Sequence, residues 1–167
     1  MPVPEFILRL RERVGHDLLW LSGATAVVLS GDRVLLVLRA DDGRWAPVSG
    51  VVDPGEHPER TAVREALEEA GVTCEVDGLV WVNVTEPIHY PNGDVSQYLD
   101  LTYRCRWLSG EPFVADDESL DARWFPLDAL PRMADRDLER VRRAVAFGSG
   151  QFGQRNSVSG DAADAAR

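Results

Sequence analysis

The sequence predicts an α/β protein in which a mixed β-sheet lies between helices. Three observations point to this class. Nearly continuous apolar runs over residues 24–29 and 33–39 are typical of strands that are covered on both faces. Residues 58–70 carry apolar side chains at helical spacing. Residues 97–107 alternate strictly between polar and apolar side chains, which indicates a strand.

Turn residues separate the remaining elements and set their order. Ser30-Gly31-Asp32 joins the first two strands and predicts an antiparallel hairpin. Residues 85–96, with two prolines and an Asn-Gly pair, are the most turn-like internal loop. The other expected elements are a short helix over 4–14, an extended stretch over 44–52, strands over 73–84 and 122–125, and a last helix over 135–147.

Composition predicts one folded domain between two dissimilar ends. The 167 residues suffice for a single domain with a real core, and 44% of them are hydrophobic. We expect a helical extension over residues 1–21, the domain itself over 22–147 and a disordered tail over 148–167, since the tail has almost no large apolar side chain. The extension would either cap the core or pack on a second subunit, so a homodimer stays open.

The charge balance bears on partners and location. A net charge of −10 and a pI of about 4.7 argue against a general nucleic-acid-binding surface. They do not exclude a nucleotide substrate, because a bound divalent metal can reverse the local field. The sequence shows no signal pattern and no apolar run near the ~20 residues that cross a bilayer. We therefore expect a cytoplasmic protein without nucleic acid or membrane partners.

The cysteines and histidines predict no zinc site. Cys74 and Cys105 lie in predicted strands, where buried free thiols are the usual state. Neither cysteine belongs to a CxxC pair or a Cys/His cluster, and the three histidines show no ligand spacing.

Residues 50–72 combine a turn with a helix. Asp53-Pro54-Gly55 predicts the turn. Pro58 suits the first helical turn, and Gly71 suits a left-handed helix end. The expected apolar face consists of Ala62, Val63, Ala66, Leu67 and Ala70.

The polar face of this helix is strongly acidic. Glu65, Glu68 and Glu69 are expected on the side opposite the apolar face, and the i, i+4 pair of Glu65 and Glu69 costs roughly 0.2–0.5 kcal/mol. No lysine relieves the repulsion, because the chain contains none. The face is either a solvated surface or a site for a hard cation such as Mg²⁺ or Mn²⁺, which prefers carboxylate oxygens.

The spacing within this stretch resembles the complete signature of the Nudix hydrolases. The matching positions are Gly50, Glu56, Arg64, Glu65, Glu68, Glu69, Gly71 and Val72. Ala66 stands where the family usually has a larger aliphatic residue, and Val48-Ser49-Gly50 replaces the common Pro-Gly-Gly entry. The likeness covers roughly residues 22–146. It implies the family's α/β/α sandwich, with a mixed sheet between helices, and makes 22–147 the Nudix domain.

The resemblance also implies roles for the signature residues. Glu65, Glu68 and Glu69 would bind Mg²⁺ or Mn²⁺, and Glu65 or Glu69 would double as the base. A backbone carbonyl at Ser49 or Gly50 would complete the metal shell. The remaining two charged residues, Glu56 and Arg64, would tie the loop to the helix through an ion pair.

Further site residues lie outside the signature. Glu118 is the leading candidate for an additional catalytic carboxylate, with Asp116 and Asp117 next, against the alternative of a solvated acidic loop. The candidates for substrate binding are Arg39, Arg44, Tyr90, Asn92 and Asp94. Trp45, Trp81 and Tyr90 would either stack on a base or pack in the core.

The function implied by the resemblance is hydrolysis of a diphosphate linkage with Mg²⁺ or Mn²⁺. The substrate would be a nucleoside diphosphate linked to another group, as in ADP-ribose, a nucleotide sugar or a CDP-alcohol. One alternative is a nucleoside triphosphate pyrophosphohydrolase that removes damaged nucleotides. Another is a nucleotide-sensing Nudix domain without catalysis, a class that usually has a broken signature.

Overall fold

A computed structural model of the chain describes residues 3–114 and 119–147. The elements in chain order are α1 (Glu5–Val14), β1 (Leu19–Ser30), β2 (Arg33–Arg39), β3 (Trp45–Ala46), β4 (Val48–Val51), α2 (Pro58–Ala70), β5 (Thr73–Val84), β6 (Ile88–His89), β7 (Val95–Ser109), β8 (Ser119–Pro126) and α3 (Asp135–Phe147). Residues 115–118 and the predicted tail over 148–167 lie outside the described residues.

The predicted mixed sheet between helices is confirmed. Eight strands form one sheet whose main path is β3-β2-β1-β7-β5, with β4 beside β1, β6 beside β7 and β8 beside β2. β1 and β7 run parallel, while the other strand pairs are antiparallel. β1 is central because it pairs with β7 over residues 19–29 and with β4 over residues 23–26.

The predicted hairpin between β1 and β2 forms, but it is short. Only Leu29 and Ser30 of β1 pair with β2. Earlier in β1 the same edge is taken by β4, the strand that leads directly into the signature loop, while β7 covers the opposite edge. β2 therefore diverges from β1 and pairs with β8 instead. This arrangement brings the start of the signature to the middle of the sheet.

Apolar residues cover both faces of the sheet, as the continuous runs predicted. One cluster joins Ala24, Ala26 and Val28 of β1 to the alanines of α2. The other joins Val27 and Leu29 of β1 to α3. Alternate residues of one strand thus pack against opposite helices, which follows from the two-residue period of a strand. The sheet is a rigid base from which both helices present polar side chains.

The predicted orientation of α2 is wrong on one side. Leu67, expected in the apolar face, is 53% exposed, whereas Glu65 and Glu69, expected opposite to it, are 1% and 6% exposed. Ala62, Ala66 and Ala70 are fully buried, as expected. Small alanines let α2 approach the sheet closely, and the helix is turned so that two glutamates also enter the interface. The burial of Glu65 and Glu69 must be explained by the groups that their carboxylates contact, because burying a charge without partners is costly.

The N-terminal segment joins the sheet earlier than the sequence indicated. β1 begins at Leu19, and α1 packs through Ile7, which is 7% exposed, while Leu10 and Val14 are each 39% exposed. Arg11 fastens α1 to the sheet by donating to the Val95 carbonyl at 2.7 Å and to Ser96 Oγ at 3.1 Å. None of the helices described is long and apolar enough to cross a membrane.

Candidate active site

The signature loop and α2 are fixed at both ends by local backbone geometry. The Glu56 N–H donates to the Asp53 carbonyl at 2.9 Å, which closes the turn before the helix. Pro58 occupies the first helical turn, where its missing N–H costs nothing. At the other end Gly71 adopts a left-handed conformation with φ 66°, and its N–H donates to the Leu67 carbonyl at 3.0 Å. The limits of the glutamate-bearing helix are therefore set by local backbone geometry.

Arg64 holds three glutamates of the signature at once. Its Nε and Nη2 each lie 3.0 Å from an oxygen of Glu56, so the predicted ion pair is present and bidentate. Its Nη1 donates to Glu65 Oε1 at 2.7 Å and to Glu68 Oε2 at 3.0 Å. These contacts raise the pKa of Arg64 well above its ordinary value and lower the pKa of Glu56. The guanidinium neutralises charge that α2 would otherwise concentrate on one face.

Gly50 is a glycine because Glu65 occupies the space beside it. A Cβ built on Gly50 would lie 2.0 Å from Glu65 Oε1 and 2.1 Å from Cδ. The carboxylate of Glu65 thus rests against the β4 backbone, and two of the proposed metal ligands are brought together. Ser49 precedes this contact and pairs with Thr25 of β1. The buried position of Glu65 follows from this contact and from the Arg64 hydrogen bond.

Glu69 lies one helical turn after Glu65 and is buried. Among the residues proposed to bind substrate, Arg39 is held by Asp41, since its Nε and Nη2 donate to the two Asp41 oxygens at 2.9 and 2.6 Å. These hydrogen bonds, and to a smaller extent the charges of Asp41, Asp42 and Glu69, raise the pKa of Arg39 above its ordinary value. The Arg39 side chain is 43% exposed and remains accessible to a ligand.

The donor set suits a hard cation, although the carboxylates are not gathered around one point. Within residues 3–114 and 119–147, no three carboxylate, imidazole or thiol side chains are close enough to hold a metal ion. Mg²⁺ and Mn²⁺ prefer oxygen ligands, and the proposed set consists of carboxylates and a backbone carbonyl, with the Glu65 side chain against the backbone of Gly50. Joint binding by Glu65 and Glu68 would compete with Arg64 Nη1 for their oxygens.

The other residues proposed to bind substrate make hydrogen bonds within the loops and do not line an open cleft. Asn92 and Asp94 hydrogen-bond each other, and Asp94 also pairs with His16 of the N-terminal segment. Arg44 lies in the turn after β2, where its carbonyl accepts from the Arg39 N–H at 2.9 Å. Tyr90 is 39% exposed and its hydroxyl lies 3.0 Å from that of Tyr98.

The two tryptophans considered for base stacking are engaged in packing. Trp45 lies against Phe125, with ring centroids 4.6 Å apart and nearly perpendicular planes. Trp81 is covered by the guanidinium of Arg143, 4.7 Å from its ring centroid. The core-packing alternative therefore describes Trp45, which packs against the cluster between the sheet and α3, whereas Trp81 is half-buried beneath Arg143. The acidic candidates Asp116, Asp117 and Glu118 lie outside the described residues.

A buried charged network next to the site was not singled out from the sequence. Asp100 is 4% exposed and accepts from Thr25 Oγ1 at 2.8 Å and Thr102 Oγ1 at 3.0 Å. Arg140 of α3 reaches Asp100 at 2.8 Å and Asp137 at 2.6 Å. The sequence signal for this network was the polar face of the alternating strand β7. At Asp100 this face is covered by α3 and is not solvated. This network fixes α3 to the sheet beside Gly23.

One more arginine belongs to this region. Arg136 precedes Arg140 by one helical turn, and partial burial together with the charges of Arg140 and Arg39 lowers its pKa. The charges of Asp137 and Asp100 act on the Arg136 guanidinium in the opposite direction.

Comparison with known proteins agrees with this geometry. The family model described as NUDIX domain matches residues 20–145. The chain therefore belongs to the Nudix hydrolase family, whose members generally use a divalent metal.

Individual relatives differ in what they act on. The chain is similar to the NAD-capped RNA hydrolase NudC of Pseudomonas aeruginosa strain LESB58, with 38% identity over 117 residues, 68% of this chain and 39% of that protein. It is also similar to a MutT-like protein of Streptomyces ambofaciens, with 35% identity over 68% of this chain and 69% of the relative. The human 8-oxo-dGDP phosphatase NUDT18 is 33% identical over 77% of this chain and 37% of that protein. The chain spans about two-fifths of the length of NudC and NUDT18.

Solved structures show the same fold. A MutT Nudix hydrolase from Burkholderia pseudomallei superposes with a TM-score of 0.62 and 29% identity over 75% of this chain and 98% of that one. An ADP-ribose pyrophosphatase from Streptococcus suis superposes with a TM-score of 0.63 and 23% identity, over 80% and 96% of the two chains. At that lower identity the likeness concerns the fold alone.

Proposed function

We propose that this chain hydrolyses the diphosphate linkage of a nucleoside diphosphate joined to another group, with Mg²⁺ or Mn²⁺ held at the signature glutamates. The observation that carries the proposal is the arrangement of Glu65 against Gly50, with Arg64 joining Glu56, Glu65 and Glu68. An intact signature thus coincides with two buried carboxylates, Glu65 and Glu69, and with two more, Glu56 and Glu68, that are bound by Arg64. A solvated helix face would not bury Glu65 to 1% exposure.

Different signature residues would bind the cation and accept the proton. A bound cation would neutralise the diphosphate oxygens and lower the pKa of a water molecule. Glu65, Glu68 and Glu69, with a carbonyl at Ser49 or Gly50, would hold that cation. Glu65 or Glu69 would accept the proton of the attacking water as general base.

The supporting residues position these groups. Arg64 holds the loop and the helix together through Glu56, so the carboxylates meet the substrate in a fixed arrangement. Arg39, with its permanently charged and accessible guanidinium, would bind a substrate phosphate. Glu118 remains our candidate for an additional carboxylate from the loop before β8, and Arg44, Tyr90 and Asn92 remain candidates for contacts beyond the diphosphate.

The experiment is a substrate panel with the full chain. ADP-ribose, UDP-glucose, CDP-choline, dGTP and 8-oxo-dGTP would be incubated with Mg²⁺ or Mn²⁺, and products measured by chromatography. We expect cleavage of a diphosphate-linked substrate and none in excess EDTA. Preference for the triphosphates would favour the alternative of a nucleoside triphosphate pyrophosphohydrolase. Binding without any cleavage would favour the sensing domain.

A capped RNA end is a second candidate substrate, favoured by the 38% identity with NudC. It stands against the expectation that no nucleic acid binds, which rests on the net charge of −10. Steady-state kinetics with NAD and with a short NAD-capped RNA as substrates would distinguish the capped-RNA assignment from the small-molecule assignment. Comparable kcat/KM for both would show that the RNA body contributes nothing, whereas a large preference for the RNA would overturn the small-molecule assignment. A cytoplasmic location and a homodimer are likewise proposals, tested by fractionation and by light scattering.

A further inference from the structure

One face of the sheet is covered by α2 over only part of its extent. The cluster beneath α2 contains Ala24, Ala26 and Val28 of β1 and Cys105 of β7. Because side chains alternate along a strand, Trp20 of β1 points to the same face as Ala24. Trp20 nevertheless lies outside this cluster and is 55% exposed. The helix therefore leaves uncovered the end of this face where β1 begins.

Exposed apolar side chains continue from Trp20 onto the neighbouring strands. In the ladder with β7, Leu79, Val82 and Val84 of β5 lie opposite residues 103, 101 and 99. Trp20 lies opposite residue 97 in the parallel ladder of β1 with β7. Directly opposite residues point to the same face of a sheet, so these four side chains share it. The three from β5 are 44%, 51% and 51% exposed. Together with Trp20 they form a surface that is here called the open sheet face.

The composition of the open sheet face is typical of a covered surface. A strand face that meets water normally carries polar side chains, which produces the alternation of half-buried sheets. The side chains of the three strands that point to this end of the face carry no charge: Trp20, Ser22, Gln97, Leu99, Leu101, Leu79, Val82 and Val84. The other face of β5 already has its cover, since Arg143 of α3 lies over Trp81. The open sheet face is thus the side of β5 that has room for a further layer.

The area of the open sheet face fits a symmetric dimer. From their exposed fractions, the four side chains present about 400 Å² of apolar surface, within the roughly 300–600 Å² of the largest patch on a typical monomer. Two copies would bring together about 800 Å², and because about 57–65% of a specific interface is apolar, the whole contact would bury about 1,200–1,400 Å². A specific interface of standard size buries about 1,200–2,000 Å².

The charge of the chain also favours a second copy as the partner at this surface. With a net charge of −10, two copies repel each other over most of their surfaces. Self-association therefore requires a contact without acidic side chains, and the open sheet face meets this condition. A basic partner would find no carboxylate to pair with among the side chains that point to it. A uniformly apolar surface can meet its own copy about a two-fold axis.

We propose that two copies of this chain pack their open sheet faces against each other about a two-fold axis. Trp20, Val82 and Val84 lie in the centre of this contact, and α2 of each copy borders it. Large aromatic side chains in the centre of an interface often contribute most of its binding energy. The inference goes beyond the proposed function, because association at this face does not depend on hydrolysis at the signature glutamates.

The test is sedimentation velocity and light scattering of the full chain over a range of concentrations. We expect a reversible dimer with a dissociation constant of about 10 µM or below. Val82→Glu should weaken association at least about a hundredfold, because it places two like charges in an apolar contact. Leu120→Glu, on β8 and 62% exposed, is the matched control. It should leave the dissociation constant within about twofold, as expected of a surface substitution outside the contact.

Thermal unfolding shows whether each variant folds. If Val82→Glu does not fold, Val82→Thr decides, because it keeps a β-branched side chain and should weaken association about three- to tenfold. Unchanged association in the folded Val82 variant, or an equal loss in Leu120→Glu, would overturn the proposal. A full chain that stays monomeric up to about 200 µM would also overturn it. Residues 148–167 or a different protein would then be the cover of this face.

Discussion

Gly50→Ala is expected to disturb the glutamate site through a single methyl group. The added Cβ would lie 2.0 Å from Glu65 Oε1, 2.1 Å from Cδ and 2.7 Å from Cγ. Ordinary contacts begin near 3.4 Å, so the Glu65 side chain must move by more than an ångström. Because Glu65 is 1% exposed and bonded to Arg64, it cannot move without losing a charged hydrogen bond inside the protein.

The magnitude follows from two costs. Forcing extra atoms into a packed site costs about 1–3 kcal/mol, and a hydrogen bond to a charged group contributes about 1.5–3 kcal/mol. Against this, replacing glycine by alanine in a strand is favourable by roughly 0.5–1 kcal/mol. We expect the free energy of unfolding to fall by about 2–4 kcal/mol, or a Tm lower by about 5–12 °C for a chain of this size. Activity should fall at least about a hundredfold if Glu65 binds the cation.

The assay is urea and thermal unfolding together with steady-state kinetics. Gly23→Ala is the matched stability control, because its Cβ would meet nothing closer than 3.6 Å. A double-mutant cycle gives the decisive comparison: in a Glu65→Ala background, Gly50→Ala should cost less than about 1 kcal/mol, since the clash is gone. If Gly50→Ala alone left Tm unchanged, or if the cycle were additive, the contact would not be the reason for glycine at this position.

Three further variants test the charges around the site. Glu69→Gln should lower kcat at least about a hundredfold while circular dichroism shows a folded chain; wild-type turnover would exclude Glu69 from the metal site. Arg64 lowers the pKa of Glu56 in the folded protein. The ion pair therefore contributes its full stability at pH values above the pKa that Glu56 has in the unfolded chain, and this stability is lost as the pH falls through the lower pKa that Glu56 has in the folded protein. The stability lost in Arg64→Gln should therefore be full at pH 7 and shrink below about pH 4 in urea titrations; a constant difference would contradict the pairing. Glu118→Gln should lower kcat at least about tenfold with little change in Tm, whereas Asp121→Asn should retain full rate; equal rates would remove Glu118 from the chemistry.

The limits of the signature helix could be predicted because they are local. Pro58 and Gly71 act through their own backbone dihedrals, and the structure places the ends of α2 next to them. The last helix begins and ends where its sequence indicated, at Asp135 and Phe147. The resemblance also paired Glu56 with Arg64, a contact that the seven intervening positions do not reveal by themselves.

The rotation of α2 could not be predicted in the same way. Periodicity assigns charged residues to water, and by that rule Glu65 and Glu69 belong outside while Leu67 belongs inside. The structure reverses both assignments, since Gly50 leaves room for one carboxylate and Arg64 neutralises it. A buried charge is stable only with partners, and partners that come from another strand are not visible in the pattern of the helix.

The sequence by itself therefore determined the family, the α/β class, the limits of the helices and the identity of the acidic residues. Only the tertiary structure decided that Glu65 lies against Gly50, that Arg140 meets Asp100 beneath α3, and that Tyr98 lies over Gly23. Each of these contacts joins elements that are distant in the chain. Local dihedral preferences and hydrophobic periods carry information over a few residues, whereas these distances depend on which strands pair and in which register.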